Sequence, residues 1–432
     1  MTPHEIRDNV FAQLKAKKIP QAEFGLFFTT KHELNLNNGQ ITLLRTTQNS
    51  RFSLSVINQK QQNGVANINK IDPEYLTQSV SSAIDIAKAS PKDAAHAIAP
   101  YQNPQTFHKG LEAPDLEKMY TRFHTFQTQV KKQYPKIVLE DTILSFTQST
   151  RFYQNTNGVD FKESLGSYLF NTCFTAKDGK HTSSFNGTAF NTLDLDQELL
   201  DYATISSLFS QITEQTHLKS VPTHFVGDLI ITPDCLIDFI EYFISIYLSE
   251  SALISGTSIL KDSLQKLVAS PLFSLHSQPL SSDMATNYFM TGDGFAAQNS
   301  TIIDQGVLRG FLLGLYGARK IGQARAVNDG DNYVVDPGQH SYKELIKNTR
   351  QGILLCRFSG GDPSSSGDFS GVAKNSYYIK NGKIQYPVNE TMIAGNILEM
   401  FKNILAVSQE RINFGDAILP WIAFSGISVS GK

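Results

Sequence analysis

The sequence predicts an α+β protein of two domains: N-terminal helices packed on an antiparallel sheet, then a C-terminal, strand-rich, barrel-like mixed domain. Three observations carry this expectation. A chain of 432 residues exceeds what one ordinary hydrophobic core encloses. Its first half alternates between helical and extended apolar periodicity. Its second half is rich in glycine and β-prone runs and poor in helical ones. The boundary falls between 218 and 219, giving domains 1–218 and 219–432.

Taken in order, Thr2-Pro3-His4-Glu5 reads as a helix start, with Thr2 as cap, Pro3 in the first turn and Glu5 reaching back. Ile6, Val10, Phe11 and Leu14 then share one face. From 22 to 69 short β-rich runs break at Asn37-Asn38-Gly39 and Asn63-Gly64, dipeptides that tolerate the positive φ of tight hairpins, so a small antiparallel meander is expected. Residues 73–89 return to helix, and Leu116, Met119, Tyr120, Phe123, Phe126 and Val130 make a second apolar stripe. Long strands over 137–193 turn at Asn157-Gly158 and Asp178-Gly179, and a helix over about 195–213 closes the half.

The run KSVPTHFVGDLIITP opens the second half with a strand, after which Thr232 is a cap and Pro233 the first helical residue. Residues 233–249 read as a helix with Leu236, Phe239, Ile240, Phe243, Ile244 and Tyr247 on a broad apolar face. Asn381-Gly382 marks a hairpin between SYYIK and KIQYPV. Asn396 and Glu399 have capping-box spacing at the head of a helix near 396–408.

Composition narrows the function. Hydrophobic residues make up 41% and charged residues 18%, with a net charge of −2, so no basic stripe is present to neutralise phosphates, and nucleic acid is not expected as a direct partner. Cys173, Cys235 and Cys356 form no CxxC and fit a reducing compartment. Glu241 interrupts the greasiest segment, and the start has no apolar signal core, so a cytoplasmic protein without a membrane span is expected.

The familiar catalytic patterns are incomplete. No two of the ten histidines stand three or four residues apart, and neither His4-Glu5 nor His32-Glu33 continues into a zincin-like motif. Ser258-Ile259-Leu260-Lys261 matches SxxK, but the companion SDN and KTG are missing. Cys356, in GILLCRF, reads as a buried strand thiol rather than an activated nucleophile. Asp234 suits a helix first turn, where a carboxylate complements the dipole. SGGDPSSSGDFSG, 359–371, has the glycines and serines of an anion cradle, yet it lacks GK[ST] and carries two aspartates that repel phosphate.

The stretch SGGDPSSSGDFSGVAKNSYYIKNGKIQYPVNETMIAGNILEMFKNILAVSQE, 359–410, resembles the C-terminal signature of the TldD/PmbA peptidase family, once called modulators of DNA gyrase. ISGTSILKDSLQKLVASPLFSL, GDGFAAQNSTIIDQGVLRGFLLGLYGARKIG and the closing ISVSGK support it, and the resemblance spans essentially the whole chain. It implies a two-domain, dimer-forming protein. One type of subunit in the family is similar to a zinc peptidase, with an HExxxH helix and a late cysteine ligand; the PmbA type, also called TldE, lacks these groups and pairs with it.

Aligned on Gly256-Thr257-Ser258, the histidine positions of that motif fall on Glu241 and Ile246 and the glutamate position on Tyr242. Ile246 has no lone pair for zinc, and a phenol is a poor base at neutral pH. The resemblance therefore implies a PmbA/TldE-like, metal-free subunit with no catalytic residue or cofactor of its own. Zinc is expected in a TldD-like partner, and the shared substrate is an unfolded or extended peptide. The alternatives are a stand-alone homodimer that binds peptides or a partner without catalysis, and an independent hydrolase. Candidate groove residues are Asn287 and Asp293, with Ser359, Gly360, Gly361, Asp362 and Asp368 in the loop 359–371.

Overall fold

The structure is a computed structural model that describes residues 1–37 and 40–431. Asn38 and Gly39, in the first expected turn, lie outside these described residues. One sheet runs in the order Asn63–Ile68, Gln40–Ile57, Gln21–Asn37, Ile137–Asn155, Asp160–Asp178, Gln105–Gly110. Its pairings are antiparallel except the last, which is parallel. The strands are longer than the sequence suggests, up to 19 residues.

Strand alternation divides this sheet into two faces. Phe24, Leu26, Leu34 and Leu36, all even positions of one strand, are buried under helices. Pro3–Ala16 and Pro73–Ala89 cover one end, and Leu116–Gln133 and Ile205–Glu214 the other. The opposite face carries Glu23, Arg151, Tyr153 and Glu163, and residues 287–297 dock there. Arg151 donates to the Met290 and Thr291 carbonyls at 3.3 Å, Phe289 N donates to Glu163 at 2.5 Å, and Phe107 stacks on Phe289 at 5.1 Å.

The second sheet has 13 strands and forms a half-barrel. Its centre is Phe225–Ile231, paired antiparallel with Ile418–Ser430 and parallel with Gln351–Leu355. The helix Pro233–Phe243 packs on it through Leu236, Phe239, Ile240 and Phe243 in the largest core of the molecule. Beyond Phe243 the helix widens into a π turn, Ile244–Leu248, closed by Ser249 N on the Ile244 carbonyl at 2.9 Å. Among the described residues no helix is long and apolar enough to cross a membrane.

Several local expectations are corrected. Asn63-Gly64 is not a turn but the start of a strand; Gly64 is needed because a Cβ there would lie 2.1 Å from the Ala83 carbonyl of the overlying helix. Leu116 and Tyr120 are exposed, leaving Met119, Phe123, Phe126 and Val130 as the buried stripe. The helix expected over 195–213 is a 3₁₀ turn, Leu199–Asp201, then Ile205–Glu214; Lys118 and Arg122 hold Asp196 and Glu198 in an extended lead-in. The helix near 396–408 stops at Lys402, where Asn403 caps it, and Ile404–Asn413 becomes a strand paired with Ile418–Ser430.

Candidate functional site

A cavity of about 520 Å³ lies where the first residues of the helix Pro233–Phe243 meet both sheets. Asp234 and Glu241 reach it from the helix, seven residues or about two turns apart and so on one face. Thr232 and Pro233 start this helix as expected, but the Thr232 hydroxyl makes no capping bond. Asp234 is tied to the first sheet's side instead, accepting from Thr188 Oγ1 at 3.0 Å and Thr204 Oγ1 at 2.6 Å. Burial pushes its carboxyl above the ordinary range against these two hydroxyl donors.

Two loops complete the wall. Gly330, Asp331 and Asn332 stand consecutively at φ of 88°, 57° and 46°, which is costly for the two residues with side chains. Three side chains hold this conformation: Ser277 Oγ lies within donating distance of the Gly330 and Asp331 carbonyls at 2.9 and 2.8 Å, Tyr288 Oη donates to the Gly330 carbonyl at 2.5 Å, and Asn332 Nδ2 donates to the Thr286 carbonyl at 2.7 Å. The result presents Asp331 to the cavity. Asp416 follows Gly415, which has a φ of 83° and where a Cβ would lie 2.0 Å from the Asn191 carbonyl, so there is no room for a side chain. Asn191 Nδ2 donates to Asp416 at 3.1 Å.

Glu241, Asp331 and Asp416 are exposed to this space, and each carboxyl is raised above its usual range. Desolvation is the main cause; for Glu241, repulsion from Asp238, Asp331 and Asp416 adds to it. Among the described residues no lysine, arginine or histidine lines the cavity.

The three positions aligned with the metal-binding motif do not converge. Glu241 faces the cavity, whereas Tyr242 and Ile246 pack against the hydrophobic core, Tyr242 edge-on to Phe239 at 6.1 Å. Burial raises the Tyr242 phenol further above its ordinary value, which removes it as a base near neutral pH. Among the described residues no group of three or more His, Cys, Asp or Glu side chains is arranged to hold a metal ion. These residues do not fit a tetrahedral zinc site.

The other sequence candidates separate. Asn287 lines the cavity. Asp293 does not; it is paired with Arg325 and accepts from Leu315 N at 2.7 Å. Ser359, Gly360, Gly361, Asp362 and Asp368 are all exposed on a hairpin whose feet, Phe358 and Phe369, pack on Phe239 at 5.5 Å. Asp368 is engaged locally, by Ser366 Oγ at 2.7 Å and Asn396 Nδ2 at 2.9 Å. The SxxK serine is structural: Ser258 is buried and donates to the Tyr247 carbonyl at 2.7 Å, while Lys261 is exposed. Cys235 and Cys356 are buried, with thiols raised by desolvation. Sequence reading missed Asp331 and Asp416; the signal was available in two acid-bearing glycine turns, NDGDN and NFGD.

Proteins of similar sequence and fold are known. Residues 226–431 match the family described as PmbA/TldA metallopeptidase C-terminal domain. Metalloprotease PmbA of Escherichia coli O157:H7 is 22% identical over 96% of this chain and 94% of its own length. A metalloprotease PmbA homolog of Haemophilus influenzae is 25% identical over 85% of this chain and 84% of its own. In fold, the crystal structure of TldE from Thermococcus kodakarensis superposes with a TM-score of 0.82 over 99% of this chain and 100% of that one, at 17% identity.

Proposed function

Because the chain belongs to the TldD/PmbA family, we propose that it is the metal-free subunit of a two-component metallopeptidase, docking a zinc-bearing homologue and helping to hold an extended peptide for cleavage there. The observation that carries this reading is the divergence of Glu241, Tyr242 and Ile246: one side chain lines the cavity and two pack, half-buried, against the core. A hydrolytic zinc needs three converging protein ligands and a base to activate its water, and this helix supplies neither.

The reading assigns the cavity a holding role. The helix is otherwise a packing element, and its π turn adapts the chain to Ser249 and the next short helix, Glu250–Ile254.

The test is reconstitution with a TldD-type zinc homologue and an unfolded protein as substrate. The expected result is a stable complex in which cleavage requires both chains and stops when the partner's metal is chelated. Cleavage by this chain alone would overturn the reading.

A further inference from the structure

We propose that the cavity beside Glu241 receives an organic cation of a peptide, an arginine or lysine side chain or an amino-terminal ammonium, and so anchors the peptide to this chain. The inference rests on the peptide-holding role above and specifies what that role selects.

Four carboxylates from three separate segments, Asp234, Glu241, Asp331 and Asp416, line one space. Among the described residues none of them takes part in an ion pair, and no basic side chain joins them in the wall. Such a wall favours positive charge. The acids do not converge tightly enough for a compact ion, whose oxygen ligands must close to about 2.0–2.6 Å. A guanidinium or ammonium on a flexible stem suits separated acceptors, because it offers three to five donors spread over its own volume.

A second, independent feature points the same way. Asn287 is 8% exposed and lines the cavity; its Nδ2 is committed to the Pro279 and Ser281 carbonyls, and its Oδ1 has no hydrogen-bond partner. A buried amide oxygen without a donor is costly unless a bound group supplies one. Tyr288, Tyr333 and Phe414 complete the wall with aromatic surface that accommodates a cation.

The peptide's main chain has a place as well. Gly187, Thr188 and Ala189 of the strand Asn186–Thr192 border the cavity, and among the described residues that strand pairs with a single neighbour, Asp160–Asp178. That edge is taken at Asn191, whose N donates to the Phe414 carbonyl at 2.7 Å, and an extended peptide added along the remaining part, 187–189, would lie beside the acids.

The test is calorimetric titration of the intact purified chain at low salt with three probes. They are an acetylated, amidated alanine peptide with one arginine, the same peptide with glutamine in its place, and the glutamine peptide with a free amino terminus. The expected result is that a cationic probe binds at least about tenfold more tightly than the neutral one. Whichever cationic probe binds identifies the source of the charge. The preference should disappear in Glu241→Gln/Asp331→Asn and weaken with added salt. Glu241→Gln alone, nearly isosteric, gives the same comparison if the double variant fails to fold. Equal binding of all three probes, no binding of any, or a preference unchanged in the variants would overturn the inference. A zinc-free, inactive chain that ignores charge sinks this inference alone; a chain that cleaves unaided sinks the subunit reading whatever its charge preference.

Discussion

Arg325 meets Asp293 side-on, with Nε 2.7 Å from Oδ2 and Nη2 2.5 Å from Oδ1, so one planar fork closes on one carboxylate. Arg325 also donates to Thr291 Oγ1 at 2.8 Å and lies 3.7 Å over the Phe295 ring, which fixes the segment that fills the gap between the two sheets. Burial opposes ionisation of Asp293, and Arg325 with Thr291 overcomes it, holding the carboxyl below its usual range.

Removing one partner leaves the other charge stranded in a half-buried place. Arg325→Ala should therefore destabilise the chain by about 3 kcal/mol in denaturant unfolding at neutral pH. Since the Asp293 carboxyl is depressed, its stabilising contribution is present above the unfolded value near 4 and is lost as pH falls below it. The cost of Arg325→Ala should shrink accordingly in acid.

Glu23 behaves in the opposite sense. Desolvation on the inner face of the first sheet pushes its carboxyl up to about 7, even though the Tyr153 hydroxyl donates to it. A raised carboxyl contributes stability that is complete below about 4 and lost as pH rises through about 7. The wild type should lose on the order of 3 kcal/mol between pH 5 and pH 8 from this group. Glu23→Gln should flatten that part of the profile in thermal melts recorded across the range.

Gly64 tests the packing of the first sheet. A methyl group there would meet the Ala83 carbonyl at 2.1 Å and Ala87 N at 2.4 Å, all of it backbone. Gly64→Ala should cost about 2–3 kcal/mol, because the helix Pro73–Ala89 must lift from the strand. Hydrogen exchange should show that helix opening first.

The cavity acids carry a stability signature of their own. Glu241 is raised by desolvation and by Asp238, Asp331 and Asp416, so its ionised form opposes folding at neutral pH. Glu241→Gln should raise the melting midpoint at pH 8 and leave it unchanged near pH 4, where the wild-type carboxyl is already protonated. A lower midpoint at pH 8 would show that the carboxylate stabilises the fold.

Local sequence rules read the fold well wherever a segment's own chemistry decides its shape. Thr2 and Glu5 form the expected capping box, and Asn381-Gly382 turns with φ of 51° and 73° between paired strands. Reading failed where distant contacts decide: Gly64 serves a helix rather than a turn, and residues 195–204 follow Lys118 and Arg122 instead of their helical periodicity. The site divided the same way. The resemblance marks Glu241 only as a vacant motif position, and Asn287 stands among the expected groove residues; Asp331 and Asp416 sit in recognisable glycine turns 85 residues apart in sequence, and neither turn announces that they meet in one cavity. Asp293, expected in the groove, is instead held away from the cavity by its ion pair with Arg325.

The central claim is that this chain holds substrate without supplying the metal chemistry. Elemental analysis of the isolated chain after growth with zinc and removal of loosely held ions tests it most directly. The account predicts zinc far below one ion per chain; a stoichiometric ion that resists dialysis and is lost in Glu241→Ala would contradict it.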